Sequence, residues 1–314
     1  MSRFSELELI SKDGTKIAAW SIIPENPKAA LQLVHGMMEH SGRYREFASW
    51  MAERSVAVYM NDHRGHGKNL KYIPGQKVRG KEIYGHFANR NGWVKSVETL
   101  HDLTELIKRN HPGLPVFILG HSMGSVMVQS YLRKYARGLQ GAILSGPMRQ
   151  PRSALNAGIM LAEALRVLFG CRYRSGLLKN LSYGNYSKYF KPQRTDFDWL
   201  CSDPKVVDEY VNDPLCGFPC TAAFYSDFFR GIRENLPGNK FMEKLSLCIF
   251  AGKNDPTGHF GKDPELLAEY YKNSGCKNVV VKVWPDRRHE MLNEINKGEV
   301  WEFVQNWIAG RLNK

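Results

Sequence analysis

Gly120-His121-Ser122-Met123-Gly124 stands between an apolar run and an amphipathic stretch. Residues 114–119 (LPVFIL) read as a buried strand, and residues 122–134 read as a helix. A strand that turns straight into a helix leaves room only for small flanking side chains, hence the two glycines. The strained turn pushes the serine hydroxyl over the sheet edge, beside the N–H groups and positive dipole end of the helix. Ser122 is the expected nucleophile.

A serine hydroxyl attacks well only when a base takes its proton, and imidazole changes charge near neutral pH. In strand–turn–helix sites of this kind the acid and then the histidine follow the serine along the chain. Of ten histidines only His259 and His289 follow Ser122. His289 comes five residues after an expected strand at 278–284 (NVVVKVW), where a loop returns to the nucleophile. His259 lies only four residues after the best acid and is a poor base. That acid is Asp255, just past an expected strand at 247–251. The turn after the strand at 141–144 reads Ser145-Gly146-Pro147 and offers no acid, and Asp286 is too local to orient His289. Asp263 is expected to cap the helix that Pro264 starts. The expected roles are Ser122 as nucleophile, His289 as proton carrier and Asp255 as the group that fixes the imidazole.

An acyl intermediate also needs two backbone N–H donors for its oxyanion. Met123 follows the nucleophile and supplies one. Met37 supplies the other from the loop His35-Gly36-Met37-Met38-Glu39-His40, where Gly36 allows close approach. His35, Glu39 and His40 do not have the spacing of a metal motif, so Glu39 and His40 are read as shaping the loop. No metal and no cofactor are expected. Asp62-His63-Arg64-Gly65-His66-Gly67 reads as a structural turn supporting the same face.

These residues need a scaffold. Segments 4–11 and 15–24 alternate around Asp13-Gly14 and read as a hairpin. Short strands are expected at 29–34 and 56–60, with a helix at 42–54 between them. Trp93, Val97, Leu100, Leu103 and Ile107 mark a helix face. A helix at 264–273 and a final helix carrying Val300, Phe303, Val304, Trp307 and Ile308 complete the alternation. Strands alternating with helices imply an α/β fold, a mostly parallel sheet covered on both faces, with ligands beyond the carboxyl ends of the strands. The alternation stops between Pro147 and about Asn239. The expected division is a core of residues 1–146 and 240–314, with a helical cap inserted at 147–239.

HGMMEHSGRY (35–44), NDHRGHGKN (61–69), GHSMGS (120–125), NDPTG (254–258) and RHEMLNE (288–294) occur together and in order. The chain resembles the serine-nucleophile α/β-hydrolases, specifically the branch of monoacylglycerol lipases and lysophospholipases, which is serine aminopeptidase S33-like. The resemblance implies an eight-stranded sheet, a mobile cap and cleavage of carboxylic esters that carry one acyl chain. Ser122, Asp255 and His289 match its triad, and Met37 and Met123 match its oxyanion positions. Met37-Met38 departs from the smaller residues of many relatives.

Within the cap, Leu155, Ile159, Ala162, Leu165 and Phe169 share a helical stripe, and Phe224 and Phe228 are spaced one turn apart. Leu155, Ile159, Phe224 and Phe228 are the expected substrate contacts, as walls of an acyl tunnel or lid. The same pattern also fits plain core packing. A peptidase is the alternative enzyme, since Asp196, Asp198, Asp203, Asp208 and Asp213 crowd the cap and acidic groups can hold a free amino terminus. A non-catalytic binding protein on this scaffold is the third reading, and it would call for a damaged triad.

Composition limits the rest. The 314 residues are 43% hydrophobic and 24% charged, with mean hydropathy −0.42, which excludes a disordered or collagen-like chain. Net charge is +13, but the basic residues are scattered and no nucleic-acid motif is present, so no nucleic-acid partner is expected. Weak contact with an anionic membrane surface is compatible with that charge. No apolar run reaches membrane-spanning length and no signal-peptide core opens the chain, so a cytoplasmic location, peripheral to membrane at most, is expected. The six cysteines form no C-x-x-C pair and are expected as free thiols.

Overall fold

Asp13-Gly14 turns the chain between β1 (Phe4–Ile10) and β2 (Lys16–Ile22), which pair antiparallel with Ile10 opposite Lys16. The computed structural model describes residues 3–71, 84–235 and 245–312, so the expected core–cap boundary at 239/240 lies outside the described residues. β3 (Ala29–Val34), β4 (Val56–Asn61), β5 (Val116–His121), β6 (Gly141–Ser145) and β7 (Ser246–Gly252) are buried along their whole lengths. β8 (Asn278–Trp284) closes the far edge. The order is β1-β2-β4-β3-β5-β6-β7-β8, parallel from β4 to β8 and antiparallel at β1–β2 and β2–β4. Continuous apolar strands of this kind require helices on both faces.

The helices supply that cover. α1 (Arg45–Ala52) and α9 (Lys297–Ala309) bury Phe47, Met51, Trp301 and Trp307 against one face. α2 (Gly92–Asn110), α3 (Met123–Tyr135) and α8 (Lys262–Asn273) cover the other with Trp93, Leu100, Tyr131 and Leu267. The sheet and its helices form an α/β-hydrolase fold.

Two local readings change. The helix expected at 42–54 begins as a 3-10 turn at Ser41–Tyr44 before α1, because His40 Nδ1 accepts from Gly42 N at 3.1 Å and tightens the entry. Asp263 does not cap α8. Gly261, at φ 81°, precedes the helix, and the buried Asp263 carboxylate turns inward to accept from Arg149 N at 2.8 Å and to pair with His259 Nδ1 at 2.9 Å.

Between β6 and β7 the chain forms α4 (Arg152–Phe169), α5 (Gly176–Ser182), α6 (Pro204–Asn212) and α7 (Ala222–Glu234), with no described strand. α4 packs along α7, and α7 packs on α2 and α3. Polar groups tie the α6 end to the sheet loops. Met38 O accepts from Tyr210 OH at 2.9 Å and from Gly217 N at 3.0 Å, and Leu200 O accepts from Glu290 N at 2.7 Å. No helix among the described residues is long and apolar enough to cross a membrane.

Candidate active site

β5 ends at His121, and Ser122 takes φ 54°, ψ −122° before α3 begins. Positive φ is strained for a side chain with a Cβ and persists only where the surroundings impose it. The surroundings here are backbone. A Cβ on Gly120 would lie 2.3 Å from Gly124 O, and one on Gly124 would lie 2.2 Å from Val34 O. Only glycine fits at either place, as the motif implied.

The loop after β3 meets this turn. A Cβ on Gly36 would lie 3.3 Å from Ser122 Cβ, so the two backbones approach as closely as glycine permits. His35 fixes the loop's direction. Its Nδ1 lies 2.8 Å from Gly36 O, and its Nε2 accepts from His63 N at 3.0 Å, which leaves the proton on Nδ1. Gly36 C=O and Met37 N–H belong to one planar trans peptide and point opposite ways. Anchoring the carbonyl on His35 therefore sets the direction of the Met37 N–H. Gly36 N donates to Glu39 Oε1 at 2.5 Å, and Glu39 also accepts from Tyr44 OH at 2.7 Å and Arg43 Nη1 at 2.8 Å. Asp62 accepts from Ser41 N and Oγ and from Lys68 N, so the turn after β4 buttresses the same loop.

His289 and Asp255 lie at the ends of β8 and β7 and are almost wholly buried. His289 Nδ1 is 2.8 Å from Asp255 Oδ2. Burial alone would depress the imidazole, but the charged, hydrogen-bonded Asp255 outweighs it and holds His289 above its ordinary range. Burial would raise Asp255 in turn, and His289 and Thr257 bring it below the usual carboxylate range. His289 Nε2 is buried and has no hydrogen-bond partner, so it is the ring nitrogen left open to accept a proton. Gly146, at φ 56°, lets the chain pass the ring, since a Cβ there would lie 3.1 Å from His289 Cε1.

Three groups here escaped the sequence reading. Thr257 donates from N and Oγ1 to Asp255 Oδ1 at 2.8 and 2.7 Å, and its Oγ1 is 3.0 Å from His289 Nδ1. Trp199 packs on His289 with ring centroids 5.0 Å apart. Glu290, the neighbour of His289, binds Arg43 through both carboxylate oxygens at 2.5 and 2.7 Å. Arg43 thus bridges the loop after β3 and the loop after β8.

A cavity of about 350 Å³ opens on Ser122 and is lined by Met37, Met123, Trp199 and Thr257 among others. Leu155 and Phe228 are in its wall. Ile159 and Phe224 are buried but are not among the lining residues. Phe224 lies one turn below Phe228, deeper in the core against Phe87, ring centroids 4.6 Å apart. Phe169, at the end of the α4 stripe, is 60% exposed.

His40 joins no ligand set with His35 and Glu39. It lies with Asp213 and Cys216, their donor atoms within 4.8 Å of one another. His40 Nδ1 accepts from Gly42 N, so Nε2 carries the proton and donates to Asp213 Oδ2 at 2.8 Å. A metal on Nε2 would require an imidazolate, and burial pushes the Cys216 thiol far above its ordinary value. The arrangement suits a cap-to-loop hydrogen bond rather than a metal. All six cysteines are free thiols.

Comparison with known proteins agrees with this geometry. A family model described as serine aminopeptidase, S33 matches residues 25–296. A monoglyceride lipase homolog of Monkeypox virus is 39% identical over 293 residues, covering 91% of each chain. A monoacylglycerol lipase of Mycolicibacterium smegmatis is 26% identical over 287 residues, covering 91% of this chain and 90% of the other. A carboxyl esterase from Bacillus coagulans superimposes with TM-score 0.86 at 26% identity, over 99% of this chain and 100% of that one.

Proposed function

The chain belongs to the family described as serine aminopeptidase, S33, and is a carboxylic ester hydrolase, and we propose that it cleaves single-acyl lipid esters through an acyl-enzyme formed on Ser122. Ser122 Oγ attacks the ester carbonyl while His289 Nε2 takes its proton and later passes it to the leaving alcohol. Asp255 holds the imidazole in the right tautomer and stabilises the imidazolium. The backbone N–H groups of Met37 and Met123 receive the oxyanion, each worth roughly 2.7–4 kcal/mol of barrier. Water then releases the acid by the same steps in reverse roles.

One observation carries this reading: a strained serine, with an imidazole whose single free nitrogen is buried and unpartnered, at a cavity walled by Leu155, Leu161, Phe228 and Ile232. Such a wall suits one acyl chain. Several relatives carry the name monoglyceride lipase, which supports that substrate class. The helices between β6 and β7 serve as the cap. Met160, Val167, Leu168, Phe169, Leu177 and Leu181 are exposed on α4 and α5, which supports docking of this face on a lipid surface.

The peptidase reading draws less support. Asp196 pairs with Lys179, Asp208 with Arg194 and Asp213 with His40. Asp198 holds the Thr195 turn and Asp203 caps α6. None of these acids is among the cavity's lining residues.

The test is a fluorophosphonate label together with a monoacylglycerol chain-length series. Labelling at Ser122 and highest turnover with medium or long chains are expected. Folded protein that takes no label, or a series that peaks at acetate, would refute the proposal.

A further inference from the structure

We propose that Tyr210 is a positioning residue: from the cap it holds the strained turn at Met38, and so keeps the Met37 N–H aimed at the oxyanion. The inference rests on the proposed acyl-enzyme mechanism and adds a residue that lies outside the reacting groups.

Met37 and Met38 form the turn of the loop after β3. Met38 takes φ 59°, and it is buried. That backbone region favours glycine, because a Cβ there meets a steric cost. A methionine keeps such a conformation only where its surroundings impose it.

The cap does the imposing. Tyr210 OH donates to Met38 O at 2.9 Å, and Gly217 N donates to the same oxygen at 3.0 Å. Gly217 N is also shared with Tyr210 OH itself, at 3.2 Å. Tyr210 belongs to α6, and Gly217 lies in the connection from α6 to α7. The phenol ring is fixed in turn. It is 2% exposed, packs on Phe197 with ring centroids 4.9 Å apart, and carries the Arg43 guanidinium 4.9 Å from its centroid.

The core anchors the loop on both sides of Met38. Glu39 is bound by Arg43 at 2.8 Å and Tyr44 at 2.7 Å, and Gly36 O meets His35 Nδ1 at 2.8 Å. Glu39 has the larger set of ties, so a rotation at Met38 is taken up on the Met37 side, where the N–H lies. Gly36 backs directly onto Ser122, since a Cβ on it would lie 3.3 Å from Ser122 Cβ. A small turn of the Gly36–Met37 peptide therefore changes how its N–H meets an oxygen on the carbon that Ser122 attacks. Tyr210 is not among the cavity's lining residues, so it acts through the turn and not by touching substrate.

The experiment compares wild type, Tyr210→Phe, Met38→Gly and the double variant. Phenylalanine keeps the ring and removes the hydroxyl. Glycine takes positive φ without steric cost, so the turn no longer needs the tie. Tyr210→Phe should lower kcat roughly tenfold, part of what a whole oxyanion donor is worth, with KM changed less than about twofold and the pH profile unmoved. The loss should be equal on a monoacylglycerol and on the methyl ester of the same acid, because both form the same oxyanion. A trifluoromethyl ketone of the same chain, whose adduct with Ser122 carries an oxyanion, should bind roughly tenfold more weakly. In the Met38→Gly background the same substitution should cost less than about twofold. Unchanged kcat, unchanged ketone binding, a shifted pH profile, or a loss carried by KM or by the glycerol ester alone would overturn the proposal. A roughly tenfold loss in the Met38→Gly background would overturn it too, since the hydroxyl would then act otherwise than through the turn. If Tyr210→Phe alone does not fold, the double variant is compared with Met38→Gly: turnover within about twofold supports the proposal, and turnover roughly tenfold lower overturns it. Wild type that takes no fluorophosphonate label would instead sink the acyl-enzyme reading.

Discussion

Replacing Arg43 with glutamine would leave two carboxylates facing each other in the protein interior. The side chains of Arg43, Glu39 and Glu290 are 10%, 3% and 3% exposed. Burial, together with the neighbouring Glu290, holds Glu39 above the usual carboxylate range. Burial would raise Glu290 as well, but the bidentate guanidinium draws it below. Losing one member of such a buried set costs about 3–5 kcal/mol, mostly because the remaining charges have no partner. For a chain of this size that lowers Tm by roughly 5–8 °C.

The variant should also gain a pH dependence whose sign is fixed. Without Arg43 one carboxylate takes a folded-state pKa above its unfolded value. Above the unfolded value the native state then binds more protons than the unfolded state, and stability falls as pH rises. The deficit relative to wild type should be larger at pH 8 than at pH 5. Chemical denaturation at the two pH values measures it. A second variant, Arg43→Met with Glu39→Gln and Glu290→Gln, removes all the charges and should recover most of the lost stability. The reasoning fails if Arg43→Gln costs under about 1 kcal/mol at both pH values, since the three groups would then not be a coupled buried set.

Ser122→Ala should lower kcat by roughly 10⁴–10⁶ without loss of folding, read by circular dichroism and ester hydrolysis. Thr257→Val removes a donor to Asp255, so the carboxylate acts more strongly on His289. The rising limb of the kcat/KM–pH profile should move to higher pH, with kcat several-fold lower at pH 7. Burial depresses His63 to about 4 and His66 to about 3. Below about pH 6.5 the unfolded chain binds protons that these rings refuse, so stability falls as pH drops towards 4. The two rings together contribute about 2–3 kcal/mol per pH unit near pH 5, measurable by denaturation against pH. Chelators should leave ester hydrolysis unchanged, because the one described His/Asp/Cys cluster is closed by its own hydrogen bonds.

The elbow was legible because its constraint is local. Backbone oxygens 2.2–2.3 Å from where any added Cβ would sit leave glycine no substitute at 120 and 124, and that demand is written in the pentapeptide. Asp255 and His289 were legible for a topological reason, since acids and histidines at carboxyl strand ends are few. Thr257 carried a weak signal, a hydroxyl two residues after the acid, but the same pattern marks many ordinary turns. Arg43 and Glu290 are 247 residues apart, and no periodicity links them. Trp199 sits in a stretch between helices with no repeating pattern to reveal its face. The α4 stripe promised one buried face from Leu155 to Phe169. Leu155, Ile159 and Ala162 are buried, while Phe169 at the helix end is exposed and stacks on Tyr173 with ring centroids 4.7 Å apart.

Polar groups are divided sharply across the loop after β3. Behind it, Glu39, Arg43, Tyr44, Asp62, His35 and His63 satisfy one another and hold the Gly36–Met37 peptide in one orientation. On its other side the cavity opens on Ser122, and the buried His289 Nε2 has no hydrogen-bond partner. On the proposed mechanism, a rigid, satisfied layer lets backbone N–H groups keep their direction while an apolar wall excludes water, so they need not reorganise as negative charge develops. On the same mechanism, the nitrogen left without a partner, His289 Nε2, is the one that takes the serine proton. This division explains why the buried ionic set persists although an apolar replacement would be no less stable. Its effect is on where the loop points, so variants that restore stability without restoring the charges should fold well and turn over ester poorly.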